Sequence, residues 1–324
     1  MTDWLLVARS NNYGLTKDAA ILAEAIGQAG RGAEFAETRG RGLIERLLRR
    51  RRADGIVHIE RAFPRWFSAA PRHWLMPNQE RFPLRHVGRL KHIDKVLAKT
   101  RHAEAVFSAL GASTDYLGFT SEDRRDASVA KNWSSFFHLA GANTLKGTED
   151  VLALWAAHPE WPELVLVQKA ANAPARTPPN VRLISGFLDD AALRRLQNAS
   201  GVHLCPSRAE GWGHHIVEGL SAGAVVLTTD AAPMNEHVDA GCGVLVAASH
   251  SEPRHLGTSF FVDRDRLETA IEALIAMPEA DKARLGNAAR TRFEAIDRDF
   301  RARVAAIFGA AMKGSNSGQP RRWP

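Results

Sequence analysis

Short apolar runs such as "GVHLCPS" (201–207) and "AVVLTTD" (224–230) recur along this chain, separated by stretches of helical period. A strand buried on one face alternates apolar and polar side chains. Runs without that alternation belong to parallel sheets covered by helices on both faces. This rhythm constrains the fold more than any other feature.

The rhythm runs twice. In the first half "DWLLVA" (3–8), "GIVHIE" (55–60), "KVLAKT" (95–100) and "TDYLGFTS" (114–121) read as strands. "TKDAAILAEAIGQAG" (16–30) reads as a helix opened by Thr16 or Lys17 with Gly30 just past its end, and "RHAEAVFSALG" as one closed by Gly111. The polar stretch "EDRRDASVAKNWS" (122–134) reads as a linker. Beyond it "SFFHLAG", "ELVLVQ", "VRLISG", "GVHLCPS" and "AVVLTTD" are strands, and "TEDVLALWAAHP", "DDAALRRLQNAS" and "HHIVEGLSAG" are helices. The Pro- and Ala-rich loop "KAANAPARTPPN" belongs at a sheet edge, residues 264–311 read as consecutive helices, and "KGSNSGQPRRWP" as a disordered tail. The expectation is two doubly wound α/β domains in tandem. Ligands of such sheets bind at the carboxyl ends of the strands, so the cleft between the domains is the expected site.

Composition narrows the alternatives. The 324 residues suffice for two cores, and no apolar run reaches 18 residues, so no membrane span is expected. "MTDWLLVARSNN" reads as a first strand rather than a signal peptide. Cys205 and Cys242 read as buried thiols in a reducing compartment, which makes the chain cytoplasmic. Of the net charge of +7, residues 1–130 hold all, with 22 Lys and Arg against 15 Asp and Glu; an acidic partner would meet that half. The dinucleotide fingerprint G-x-G-x-x-G is absent, "GRGLIE" (40–45) failing at its last position, and so is a Walker lysine loop, which sets hydride transfer aside.

"EGWGHHIVEG" (210–219) carries the densest chemistry. Gly211 and Gly213 permit a tight backbone, and a helix starting near His214 offers N–H groups and a dipole to a phosphate. Glu218 lies about one turn into that helix, and Glu210 precedes the loop. A carboxylate only accepts hydrogen bonds and so suits the hydroxyls of a ribose or sugar. A diphosphate between two polyols would satisfy the arrangement.

The run "PSRAEGWG…VEGLSAGAVVLTTDAAPMNE" resembles the donor-site segment of retaining GT-B glycosyltransferases of the family 4 type (glycosyl transferases group 1), with their E-x7-E motif. "FHLAGANTLKGTEDVLALW" resembles that family's domain-opening strand, lysine loop and helix, and "LGNAARTRFEAIDRDF" its closing helices. The resemblance covers residues 134–312 well and 1–130 loosely. It implies a GT-B fold, two Rossmann-like domains facing across a cleft with a C-terminal helix crossing back to the first. Residues 1–125 would form the acceptor-side domain, 134–296 the nucleotide-sugar domain, 297–312 the crossover helix and 313–324 the tail.

By position, the resemblance makes Glu218 the ligand of the donor's ribose and Glu210 a contact of the donor sugar. The backbone at Gly213, His214 and His215 would hold sugar and diphosphate, with Lys146 neutralising the leaving group. Gly186 and Phe187 would lie beside the base, and Gly14 and His58 would approach from the acceptor side. The family's arginine at the start of the lysine loop is replaced here by Ala142 and Asn143, with Arg9 or Arg208 as substitutes. The implied reaction is hexosyl transfer from a nucleoside diphosphate sugar to a saccharide or lipid-linked acceptor, in cell-surface polysaccharide synthesis, with retention and without metal or cofactor. The alternatives are an epimerase or phosphorylase on the same fold, or a sugar-nucleotide binder with weak turnover.

Several residues also admit plainer readings. His214 reads as a sugar contact or as packing, and His58 as functional or as satisfied core. "DRD" at 263–265 and 297–299 mimics a metal motif, but both precede helical patterns and read as N-caps. "RGRGLIERLLRRRR" (39–52) interleaves Leu43, Ile44, Leu47 and Leu48 with arginines. It reads as a solvated helix face or as a contact, peripheral at the inner membrane face, for anionic lipid or an acidic saccharide. Without an aromatic platform, nucleic acid is disfavoured.

Overall fold

A computed structural model describes residues 2–9 and 14–310; the tail expected at 313–324 and the last two residues of the expected crossover helix lie outside them. The chain divides into two compact units. The first takes in the chain up to Thr120, a short return at Arg254–Gly257 and the chain from Ile296 onward; the second is Ser121–Pro253 with Thr258–Ala295.

The first unit carries β1 (Thr2–Ala8), α1 (Gly14–Gln28), β2 (Ala33–Glu37), α2 (Leu43–Leu47), β3 (Ala53–Glu60), β4 (Arg72–Pro77), β5 (Lys95–Ala98), α3 (Arg101–Ala109) and β6 (Thr114–Tyr116). Its sheet runs β2-β1-β3-β4-β5-β6, every pairing parallel. Helix α1 forms because Leu15, Ala19, Leu22 and Ile26 recur at helical spacing and bury one stripe. Thr100 caps α3 by accepting from the Ala103 N–H.

The second unit carries β7 (Asn132–Gly141), α4 (Thr148–Ala157), β8 (Leu164–Gln168), β9 (Val181–Ile184), α5 (Asp190–Ala199), β10 (Ser200–Cys205), α6 (His214–Ser221), β11 (Val225–Asp230), β12 (Gly243–Arg254), β13 (Gly257–Val262), α7 (Arg264–Ala276) and most of α8 (Glu279–Ala310). The strand order is β13-β12-β11-β10-β7-β8-β9, parallel from β12 to β9. The loop 169–180 leads to the edge strand β9, as its Pro content implied. Its core is built by β7, β8, β10 and β11 with Trp155 and Trp161 from the α4 side and Leu267, Ile271 and Leu274 from α7. Residues 215–221 of α6 are all buried, so this helix belongs to the interior rather than the surface.

The two units match the expected paired α/β architecture. The strands β2, β4, β12 and β13 had no clear signal. β2 is a half-exposed edge strand, and β4 ends in Pro77, tolerated there because the last residue need not donate. The closing helix is longer than expected: α8 starts at Glu279 and continues unbroken to Ala310, its residues from Ile296 belonging to the first unit. There Phe308 meets Trp4 and Trp74 at ring centroids of 4.9 and 5.1 Å. Of the two "DRD" stretches, Asp263 caps α7 by accepting from the Arg266 N–H. Asp297 lies inside α8 and pairs with Arg301 at 2.8 Å, so the capping expectation fails there. Among the described residues no helix is long and apolar enough to cross a membrane.

Candidate functional site

Each sheet has one place where the chain switches direction, between β1 and β3 in the first unit and between β7 and β10 in the second. Loops leaving such neighbours diverge and open a crevice at the carboxyl ends of the strands. In the second unit those two loops are 142–147 after β7 and 206–213 after β10. They hold Lys146 and Glu210, which are 64 residues apart in sequence.

The two loops meet backbone to backbone. The Arg208 N–H donates to the Leu145 carbonyl at 2.8 Å. Gly147 sits at φ +70°, and a Cβ on it would fall 2.3 Å from the Pro206 carbonyl oxygen. Only glycine accepts both conditions. Below them, His138 of β7 donates from Nδ1 to the Leu204 carbonyl at 2.7 Å, while its Nε2 accepts from the Thr148 hydroxyl at 2.9 Å. The start of α4 is thereby tied to both strands.

Lys146 Nζ donates to Glu210 Oε1 at 2.7 Å and to His215 Nδ1 at 3.0 Å. With Nδ1 accepting, the imidazole carries its proton on Nε2, which donates to Ser207 Oγ at 3.0 Å. Burial, then the Lys146 charge, holds the His215 pKa well below the ordinary histidine range. A neutral ring takes a hydrogen bond from the ammonium without competing for Glu210. The ammonium has three donors, of which these contacts use two.

Gly213, at φ +99°, stands at the N-cap of helix α6 and gives it no side-chain cap. Glu218, one turn on, is buried and accepts at Oε2 from Gln197 Nε2 at 3.1 Å. His214 Nδ1 accepts from the Ser121 hydroxyl at 2.8 Å, and that oxygen accepts from Trp212 Nε1–H at 3.1 Å. His237 Nε2 donates to the Trp212 carbonyl at 2.6 Å, fixing the loop from its far side. His214 thus takes part in the packing of the loop.

The remaining expected residues scatter. Gly186 follows β9 with nothing near its Cα face, and Phe187 is 96% exposed, an aromatic ring presented to solvent. Arg208 is held by Asp150 at 3.1 Å and Glu149 at 3.3 Å, both in the first turn of α4. In the first unit Gly14 begins α1, and Arg9 is exposed after β1. His58 is wholly buried: its Nδ1 accepts from the Phe63 N–H at 3.2 Å and its Nε2 donates to His73 Nδ1 at 3.1 Å. Both ring nitrogens serve the core of that unit. Gln197, Arg124 and Ser121 shape the site without having stood out in the sequence. Glu60, which ends β3 at φ +70° and pairs with Arg61 at 2.6 Å, also went unmarked, since strain of this kind leaves no composition signal.

Residues 173–292 match the family model Glycosyl transferases group 1, a segment that includes Glu210 to Glu218 but not Lys146. No curated protein matches the chain in sequence. Among solved structures, a glycosyltransferase from Rickettsia africae ESF-5 aligns with a TM-score of 0.73 at 13% identity, over 97% of this chain and 99% of that one. Anabaena Alr3699/HepE in complex with UDP and glucose aligns with a TM-score of 0.68 at 14% identity, over 97% and 100%. WaaG, a glycosyltransferase involved in lipopolysaccharide biosynthesis, aligns with a TM-score of 0.68 at 16% identity, over 94% and 99%. At these identities the likeness is one of fold, and the fold is that of GT-B glycosyltransferases.

Four buried histidines brace the site, and burial pushes His138 and His237 down to about 4 and His203 to about 3, with His215 also lowered. A depressed pKa means the unfolded chain takes up protons that the fold excludes. The stability these neutral rings bring is complete above about pH 6.5 and is lost as pH falls towards 4. Each should contribute roughly 1 kcal/mol per pH unit within that window. Urea unfolding should therefore show a lower midpoint at pH 5 than at pH 7.5, and His237→Gln should flatten the dependence. Equal midpoints at the two pH values would refute this account.

Proposed function

We propose that this protein is a retaining, family 4 type glycosyltransferase that moves a hexosyl group from a nucleoside diphosphate sugar to a saccharide or lipid-linked acceptor. The observation that carries the reading is the meeting of Lys146 and Glu210 at the switch point between β7 and β10, with Glu218 on the helix that follows. Fold likeness to Anabaena Alr3699/HepE, solved with UDP-glucose, supports a nucleotide-sugar donor. Likeness to WaaG supports a role in cell-surface polysaccharide synthesis.

In this reading Glu218 accepts from the ribose hydroxyls and Phe187 and Gly186 flank the base. The start of α6 at Gly213, His214 and His215 holds the diphosphate. As the glycosidic bond breaks, negative charge grows on the leaving diphosphate. The third N–H of Lys146 and the helix start stabilise it in a site largely screened from water. Glu210 orients the ammonium and faces the sugar. No resident metal or cofactor takes part. The second reading, a sugar-nucleotide binder with weak turnover, is favoured by one observation: Arg208 is engaged by Asp150 and Glu149 rather than standing in for the family's loop arginine.

UDP, GDP, ADP and dTDP, tested one at a time without metal, provide the direct test. A binding nucleotide at about a hundred times its dissociation constant should stabilise the fold by about 2.7 kcal/mol. Glu218→Ala should weaken that nucleotide by about 10- to 150-fold. If none of the four raises the melting temperature, the donor site is misassigned.

The two glutamates should separate kinetically. Glu210→Gln keeps shape but breaks the ion pair that holds Lys146, so kcat should fall by about 100-fold with nucleotide affinity nearly unchanged. Turnover near the wild-type rate would reduce Glu210 to a structural role.

We also read the α2 segment as a contact for an anionic membrane surface. Leu43, Ile44, Leu47 and Leu48 are 65%, 73%, 74% and 70% exposed, and α2 buries no residue. Arg39, Arg46, Arg49, Arg50 and Arg51 are exposed around them. Arg41 is instead buried, donating to the carbonyls of Arg65 and Arg50, and so shapes the segment from within. The protein should sediment with anionic but not neutral vesicles and be released by salt, and reversing Arg49, Arg50 and Arg51 to Glu should abolish this. Equal sedimentation with both vesicle types, or with neither, counts against a lipid contact.

A further inference from the structure

Gln197 and Arg124 lie outside the loops of the site, yet two hydrogen-bonded routes run from Arg124 to Glu218. In the first, Arg124 Nε donates to Gln197 Oε1 at 2.8 Å and Gln197 Nε2 donates to Glu218 Oε2 at 3.1 Å. In the second, the Arg124 N–H donates to Ser221 Oγ at 2.9 Å and that hydroxyl donates to the Glu218 carbonyl at 2.8 Å. Arg124, Gln197 and Ser221 are each at most 1% exposed. One route ends on the carboxylate of Glu218 and the other on its backbone.

The direction of the first route is chemically forced. A carboxamide can turn either its oxygen or its NH2 towards a neighbour, and the two differ little in shape. A guanidinium only donates. With Arg124 on one side, the amide oxygen must face the arginine and the NH2 must face Glu218. Reversed, the amide would set its oxygen against a carboxylate and an NH2 against a guanidinium, both repulsive.

Arg124 is itself fixed. Its Nη1 donates to both oxygens of Asp190 at 2.8 and 3.0 Å, and its Nη2 to the Asp190 carbonyl at 3.1 Å. The backbone of Gln197 is pinned by His203 Nε2, which donates to its carbonyl at 2.9 Å. Asn198 Nδ2 donates to the Arg124 carbonyl at 2.6 Å and closes the loop back onto α5.

We infer that Arg124 and Gln197 are positioning residues that fix the carboxylate plane of Glu218 for the donor's ribose. This rests on the assignment of Glu218 as the ribose ligand. Neither residue needs to touch the donor; each acts through the glutamate. An oriented carboxylate meets two adjacent hydroxyls without first losing side-chain freedom, so the relay should show in donor binding and KM rather than in kcat.

The test uses whichever of UDP, GDP, ADP and dTDP binds the full chain, with its dissociation constant measured by calorimetry. Gln197→Met keeps length and removes both polar atoms, and it should weaken that nucleotide by about 10-fold. Placed in the Glu218→Ala background, the same substitution should change affinity by less than about twofold, because residues acting as one unit are not additive. A structural defect would instead weaken binding equally in both backgrounds, and that result overturns the relay. So does unchanged affinity in the single variant. Arg124→Met should behave like Gln197→Met; should it fail to fold, Gln197→Met, which leaves the Asp190 ion pair intact, still decides. If Glu218→Ala alone leaves nucleotide affinity unchanged, the ribose assignment fails and the relay falls with it, an outcome told apart by the first variant measured.

Discussion

The second unit depends on one close approach, that of Gly147 to the carbonyl of Pro206. Without it the loops after β7 and β10 would diverge as loops at a switch point ordinarily do. With it, Leu145 accepts from Arg208, the first turn of α4 brings Glu149 and Asp150 to that arginine, and Lys146 reaches Glu210. A methyl group on residue 147 would meet carbonyl oxygen well inside contact distance, and the left-handed φ would strain any side chain. The chemistry of the lysine is therefore set by a residue with no side chain.

Electrostatics follow from that geometry. Lys146 and Glu210 are both nearly buried, so each needs the other, since one charge left alone in such a place is far costlier than the pair. His215 adds an acceptor without adding a charge, because burial and the adjacent ammonium keep the ring neutral. The surrounding histidines do the same for backbone groups: His138, His203 and His237 each donate to a buried backbone carbonyl. Around the Lys146–Glu210 pair the bracing is thus done by neutral imidazole rings.

What could be read from the sequence divides along physical lines. The strands β1, β3, β7, β8, β10 and β11 announced themselves because strands buried on both faces need uninterrupted apolar side chains. β2 and β4 did not, one being a half-exposed edge and the other ending in proline. The spacing of Glu210 and Glu218 was visible because one short loop and the helix that follows it carry both within ten residues of sequence. The bond between Lys146 and Glu210 depends on strand order, which no local pattern contains. His58 shows the same dependence on strand order. Its place near a strand end admitted a functional or a core reading, and the ring that accepts its hydrogen bond, His73, comes from the neighbouring strand. "EDRRDASVAKNWS" looked like a linker because it is polar, yet Arg124 is among the most buried side chains in the molecule. Burial of a charged residue is legible only once Asp190 and Gln197 are known to surround it.

The two glutamates of the opening loop and helix differ in the kind of donor each accepts. Glu210 takes a full cation, so its charge is largely matched by Lys146 and its value lies in where it holds that ammonium. Glu218 takes an amide, and Gln197 brings a donor without bringing a charge. An arginine in the place of Gln197 would bind the carboxylate more tightly and compete for both its oxygens. With the guanidinium one residue further back, at Arg124, the carboxylate meets a neutral amide donor whose direction the arginine sets. Two residues of one type, eight positions apart, are in this way made into different instruments by their neighbours.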